Sequence, residues 1–292
     1  MNYNSLIKIF ILTKKILNIE NLCDTKICVL SEGLTNKVIK LSYNTETYII
    51  KIFNKIHDSN IRLNELFISK KCDFIPNIIY QNSDFRIEKF INSIKYNDCE
   101  KLVFFNFHYK NLMTILKLFH SQKTFYNDIV LYKFYNQWKD SHEIKKLCLN
   151  IPHTFNKITK FINDSHQIVY CHNDVILNNI LVSKNMMYLI DLEYSGNNYL
   201  LYEFANMFNE ILIDYDNYSY RKSGIEWLKE IILIDYFGDN IDIKQILIDI
   251  TKFQKISNFL WTLWSFKQLD YINDNDFDYA RYGHLRLEMF NN

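Results

Sequence analysis

Residues 27–53 alternate between short apolar bursts and polar gaps. "KICVL", "KVIKLSY" and "TYIIKIF" are rich in β-branched and aromatic residues, which predicts three strands. Residues 59–71 change to a helical period, with Ile61, Leu66 and Ile68 set among Arg62, Glu65, Lys70 and Lys71. "NIIYQ" and "FRIEKFI" return to the strand pattern, so the first part of the chain reads as about five strands with one inserted helix. From about residue 95 the runs lengthen. "NLMTILKLFHS", "HTFNKITKFIND", "YLLYEFANMFNEILIDY", "GIEWLKEIILIDYF" and "IDIKQILIDITKFQKISNFLWTLWSFKQ" all carry apolar residues at helical spacing. The composition shifts near residues 91–97. The expected division is a β-rich N-terminal lobe over residues 1–92 and a larger, mainly helical lobe over residues 93–292. The opening "LIKIFILTKKIL" is broken by Lys8, Lys14 and Lys15 and falls short of the roughly 20 apolar residues a membrane span needs. It reads as an amphipathic surface helix.

Composition narrows the picture only a little. The chain has 292 residues, 48% hydrophobic and 23% charged, with a net charge of +1, which gives no reason to expect nucleic acid or a membrane surface as partner. With five glycines and two prolines, turn prediction loses its usual markers. Cys23, Cys28, Cys72, Cys99, Cys148 and Cys171 form no CxxC pair and have no His pair at metal spacing, so reduced thiols in a cytoplasmic protein are expected.

The chemistry concentrates in "CHNDVILNNILVSKNMMYLIDLEYSG", residues 171–196. Two apolar strands are flanked by His172, Asn173 and Asp174, then Asn178 and Asn179, then Asp191 and Glu193. Phosphoryl transfer needs a carboxylate that orients the attacking hydroxyl and oxygen donors that hold Mg²⁺. Asp174 in a loop, Asn179 five residues later and Asp191 after the second strand supply such a set. A small β-rich lobe followed by a helical lobe with this hairpin inside it is an α+β, two-lobed protein-kinase-like layout. In such a layout a strand lysine reaches the nucleotide phosphates and a helix acid holds it. Lys51 sits in the apolar strand "TYIIKIF", and Glu65 on the following helix is its expected partner.

"HNDVILNN" resembles the H-x-D-x-x-x-x-N motif of aminoglycoside phosphotransferases and choline kinases, and "LIDLEYSGNNY" resembles the second signature of choline and ethanolamine kinases. The resemblance runs over about residues 29–290. It implies a Mg·ATP-dependent kinase that phosphorylates the hydroxyl of choline or ethanolamine, the first step of phosphatidylcholine or phosphatidylethanolamine synthesis. Asp174 would be the catalytic base, Asn179 and Asp191 the Mg²⁺ ligands, and Glu193 a further metal contact. His172 is expected to brace the loop. "SEGLTNKV" resembles the family's phosphate-covering turn, with Ser31, Gly33, Thr35 and Asn36, together with Lys51, as ATP contacts. "FRIEKFI" resembles its hinge strand. "FLWTLWSFKQ" places Trp261 and Trp264 on one helical face, and with Glu210, Tyr215 and Tyr282 they would form an acid-plus-aromatic cage for a small cation. Met207, Leu192 and Glu203 stand where the family usually has His, Phe or Tyr, and Asp. A homodimer is compatible with the family. The rival readings are another small-molecule kinase of the aminoglycoside phosphotransferase fold and a catalytically silent binding module. A protein kinase is disfavoured because no D-F-G or A-P-E segment follows.

Overall fold

The computed structural model describes all residues except 1–2, 33–35, 54–58, 124–127, 148, 185 and 272–276. The chain divides into two units, residues 1–93 with Tyr188–Ile190, and residues 94–187 with 191–292.

The first unit begins with α1 (Tyr3–Ile16), followed by β1 (Lys26–Glu32), β2 (Asn36–Tyr43), β3 (Glu46–Phe53), α2 (Ser59–Ser69), β4 (Ile78–Gln81) and β5 (Phe85–Lys89). The strands form an antiparallel sheet in the order β1-β2-β3-β5-β4. Ile39 and Leu41, Ile50 and Ile52, and Phe85 and Ile87 alternate along their strands. Their side chains therefore share one face, and α1 packs its Ile9 onto that face. The opening helix is thus amphipathic with a specific partner. Lys51 lies between Ile50 and Ile52 and so points to the opposite face, directly across from Arg86 of β5. Both cations are buried.

The second unit holds α3 (Lys101–His120), α4 (Val130–Trp138), α5 (His142–Lys145), α6 (Ile151–Thr159), β6 (Ile168–Cys171) and β7 (Ile180–Ser183). The chain continues through β8 (Met186–Leu189), β9 (Gly196–Tyr199), α7 (Leu200–Leu212), β10 (Ile213–Asp214), β11 (Ser219–Tyr220), α8 (Glu226–Phe237), α9 (Ile243–Leu269) and α10 (Tyr279–Asn291). Nearly all of α7 and the C-terminal half of α9 are buried on every side, as expected of helices at the centre of a unit rather than on its surface. α9 packs against α4, α5, α6, α7 and α10. Asp242 caps its N-terminus by accepting from the Gln245 amide at 3.1 Å.

Strands β7 and β8 pair as the expected hairpin. β6 and β9 pair antiparallel from Ile168 opposite Tyr199 to Cys171 opposite Gly196. That ladder brings the two ends of the polar segment 172–195 together. β9, "GNNY", has no strand-like composition, and its conformation comes from the pairing with β6.

Gly196 is where α4 meets this ladder. A Cβ built there would lie 2.3 Å from Val130 Cγ2, and a β-branched, buried side chain has little freedom to move away. Gly196→Ala is expected to cost about 1–3 kcal/mol of stability, the usual range for overpacking. Pairing it with Val130→Ala should recover part of that loss. Urea unfolding of the single and double variants checks both, and a double variant no more stable than Gly196→Ala would contradict the contact.

Candidate active site

Past β6 the chain turns at Asn173, whose φ of 66° lies in the left-handed region that asparagine enters more readily than most side chains. Its polar atoms are all engaged. Its N–H donates to Glu203 Oε2 at 2.6 Å, and its carbonyl accepts from Asn206 Nδ2 at 3.1 Å. Its Oδ1 accepts from Asn198 Nδ2 at 2.6 Å, and its Nδ2 donates to the Tyr194 carbonyl at 2.9 Å. An unusual backbone conformation persists where its surroundings over-determine it in this way.

Glu203 is the anchor of the loop. It is fully buried in α7, and its other oxygen accepts the His172 N–H at 2.9 Å. His120 Nε2 lies 3.2 Å from the same oxygen, and His120 Nδ1 lies 2.6 Å from the Tyr236 hydroxyl. Burial alone would raise the Glu203 pKa. The hydrogen bond and charge of His120, with the His172 contacts, instead hold it below the ordinary glutamate value. Glu203 therefore keeps two backbone donors satisfied. His172, also fully buried, accepts the Asp174 N–H on Nδ1 at 3.3 Å and so braces the loop from inside. His120, Cys171 and Glu203 place donor atoms within 4.8 Å of one another. Each has a hydrogen-bond partner: the Cys171 thiol donates to the Asn198 carbonyl at 3.7 Å, and the other two belong to the anchor. These bonds account for the cluster without a metal.

The loop delivers Asp174. Its Oδ2 accepts from Asn179 Nδ2 at 2.8 Å, and its carbonyl accepts from the same nitrogen at 3.0 Å. Burial pushes the Asp174 carboxyl well above its usual pKa, and the negative charges of Glu210 and Asp191 push it further, against the Asn179 hydrogen bond. Asn179 ends a short 3-10 turn, Leu177–Asn179, just before β7. With its nitrogen committed to Asp174, its side-chain oxygen is the atom left to ligate a cation. Asp191 follows β8 at φ 62° and ψ 61° and opens the 3-10 turn Leu192–Tyr194, which contains Glu193. Two of the left-handed non-glycine residues, Asn173 and Asp191, thus sit where the chemistry is expected.

Beside Asp174 stands an aromatic wall. Trp261 and Trp264 pack at 5.1 Å, Trp264 and Tyr282 at 6.1 Å, and Tyr282 stacks on Tyr215 at 5.9 Å. Tyr194 belongs to this wall although the sequence reasoning did not single it out. It lies 5.3 Å from Trp261, and its hydroxyl accepts from Trp264 Nε1 at 2.9 Å. Glu210 accepts from the Tyr215 hydroxyl, and from the Tyr282 hydroxyl at 3.0 Å. It also carries an internal counter-ion, Arg286 Nη1 at 2.6 Å, so the expected cation ligand is already compensated. A small cavity is lined by Glu210 and Tyr215 together with Asp98, Lys101, Ile176 and Asn178. Lys101 closes it by binding Asp98 at 2.6 Å and the carbonyls of Glu210 and Ile213 at 3.1 and 2.6 Å. Arg286 and Lys101 were missed for the same reason: each is a cation on a helix, and nothing local names its distant acceptor.

In the first unit the expected partnership of Lys51 with Glu65 is corrected. Glu65 is buried and pairs with Arg86 Nη1 at 3.0 Å, and Arg86 also reaches Glu88 at 3.2 Å. Arg86 stands directly opposite Lys51. Its planar, multi-donor guanidinium suits two carboxylates better than a point-charge ammonium does. Of the predicted phosphate-covering turn, Ser31 is the last residue but one of β1 and Asn36 the first of β2, neither with a described side chain. Gly33 and Thr35 lie outside the described residues.

Residues 27–291 match the family described as choline/ethanolamine kinase. Ethanolamine kinase 2 of Mus musculus is 30% identical over 131 residues, 42% of this chain and 34% of that protein. Ethanolamine kinase 1 of Homo sapiens is 32% identical over 136 residues, 42% and 30% of the two chains. The chain spans about a third of the length of these curated relatives. Among solved structures, a Plasmodium vivax ethanolamine kinase superposes with a TM-score of 0.76 at 22% identity, over 95% of this chain and 85% of that one. A choline kinase from Cryptosporidium parvum gives 0.74 at 22% identity, over 98% and 94%. The fold is the α+β, two-lobed protein-kinase-like fold.

Because its folded pKa is depressed, Glu203 contributes stability that is fully present above the ordinary glutamate pKa. That contribution is lost as pH falls through the lower, folded value. Glu203→Gln should therefore cost about 2–3 kcal/mol at neutral pH, where a charged acceptor of buried donors is removed. The difference from wild type should shrink as pH drops below about 4. Urea midpoints measured from pH 7 to 3 test this, and a gap that stays constant across that range would contradict the anchor.

Proposed function

This chain belongs to the choline/ethanolamine kinase family, and on that premise we propose that it transfers the γ-phosphoryl group of ATP to the hydroxyl of a small amino alcohol, choline or ethanolamine. One observation carries the reading. The Asp174–Asn179 pair and an acid-plus-aromatic wall occupy the same unit, close enough for the charge of Glu210 to raise the Asp174 pKa. A carboxylate beside a wall of tyrosines and tryptophans suits a substrate with a hydroxyl at one end and a positive nitrogen at the other.

Asp174 accepts a hydrogen bond from the substrate hydroxyl and takes its proton as the bond to phosphorus forms. A carboxylate held in this buried, acidic setting is more basic than one in water, which favours that transfer. The faces of Trp261, Trp264, Tyr194, Tyr215 and Tyr282 attract the substrate cation through their ring quadrupoles, each contact worth about 0.5–2 kcal/mol. Glu210 holds the two tyrosine hydroxyls and adds negative potential. Asn179, Asp191 and Glu193 are hard oxygen donors of the kind Mg²⁺ prefers and would hold it; bound there, it neutralises phosphate charge. Lys51 would serve the nucleotide phosphates from β3, with Glu65 acting on that face of the sheet through Arg86. The product, a phosphorylated amino alcohol, fits the route to phosphatidylcholine or phosphatidylethanolamine.

Asp174→Ala should lower kcat by about 10²–10⁴-fold, the range of a lost general base, while ATP affinity measured by calorimetry stays near wild type. Phosphorylation of choline, ethanolamine and an aminoglycoside by the wild type, compared in one assay, identifies the acceptor. Turnover confined to the aminoglycoside, or amino-alcohol turnover retained by Asp174→Ala, would overturn the proposal.

A further inference from the structure

Arg286, on α10, is fully buried and reaches two residues of α7 at once. Its Nη1 donates to Glu210 Oε1 at 2.6 Å, and its Nη2 donates to Asn206 Oδ1 at 3.2 Å and to Ser257 Oγ at 2.7 Å. Asn206 and Glu210 are four residues apart, so they stand on the same helical face one turn from each other. A planar fork can span that gap, whereas an ammonium offers a single charged atom.

The two acceptors lead in different directions. Glu210 receives the hydroxyls of Tyr215 and Tyr282, which belong to the aromatic wall. Asn206 donates to the carbonyl of Asn173, the residue before Asp174, and is itself held by the Ser257 hydroxyl at 2.7 Å. One guanidinium therefore connects the surface expected to hold the substrate cation with the loop that presents the base. The correct distance between hydroxyl and base depends on those two parts keeping register, and misplacement of reacting groups is costly in rate.

We propose that Arg286 is a positioning residue that locks the catalytic loop and the cation wall in register, acting through Asn206 on one side and Glu210 on the other. The inference rests on the amino-alcohol reading above. Arg286 acts only through these neighbours, so its removal should slow the chemical step without weakening nucleotide binding.

Arg286→Lys keeps the buried charge for Glu210 but gives up the fork. It should lower kcat about tenfold or more while leaving KM for ATP and for the acceptor within about threefold, as expected when alignment rather than binding is lost. Asn206→Ala cuts the same link from its other end without touching a charge, and it should reproduce the loss. The double variant should be no slower than Asn206→Ala within about twofold, the non-additivity of residues acting along one path. Hydrogen exchange at the amides of His172, Asn173 and Asp174 should quicken about tenfold in each variant, while α9 protection reports global folding separately. Arg286→Lys turnover within twofold of wild type, losses that multiply in the double variant, or unchanged loop exchange would overturn the proposal. A wild-type protein inactive on both choline and ethanolamine would overturn the acceptor reading, and the exchange measurement would still decide whether Arg286 holds the loop. If Arg286→Lys does not fold, Asn206→Ala decides alone.

Discussion

The second unit is organised around one buried carboxylate. Glu203 has no solvent to stabilise its charge, so it must be met by donors, and the donors it finds are the backbone N–H groups of His172 and Asn173 with His120 alongside. Burying a charge is tolerable only with such compensation. The requirement works in both directions: the loop satisfies the acid, and the acid fixes the loop. Asn173 can then hold a left-handed backbone, and Asp174 emerges on a frame that leaves it little freedom. The aromatic wall, the second buried acid Glu210 and its counter-ion Arg286 are arranged around the same helix, α7.

Both buried acids have partners distant in sequence. Glu203 meets α3 and the segment after β6, and Glu210 meets α10 and the turn after β10. α7 therefore presents polar groups inward at two levels, while Phe204, Met207, Phe208 and Ile211 fill the space between them. Met207 is wholly buried and adds apolar packing, while Glu203 keeps an acceptor role, so the loop's hydrogen bonds are satisfied.

How much could be read from the sequence depended on whether the signal was local. The strands of the first sheet and the long helices follow from periodicity, because each buries one repeating face. Asp174, Asn179 and Asp191 were visible because their spacing within a short hairpin is itself the motif. β9 was not, since "GNNY" is a strand only by its pairing with β6. Arg286 and Tyr194 were passed over because one reads as an ordinary helix cation and the other as part of a signature whose acids draw attention first. The Lys51–Glu65 pairing went astray for a related reason. Spacing along the chain suggested the partner, but Arg86, brought opposite Lys51 by strand register, takes Glu65.

The first unit is also discontinuous in sequence. Residues 1–93 are joined by Tyr188–Ile190, and the Leu189 N–H donates to the Phe74 carbonyl at 2.9 Å. A ribosome reaches residue 188 about a hundred residues after residue 93, roughly 5–20 s later at ordinary elongation rates. During that interval the sheet and its helices must persist without their last segment. The N-terminal unit is therefore first in the chain but is not complete when residue 93 has been made, and its completion waits until the loop that carries Asp174 has been made.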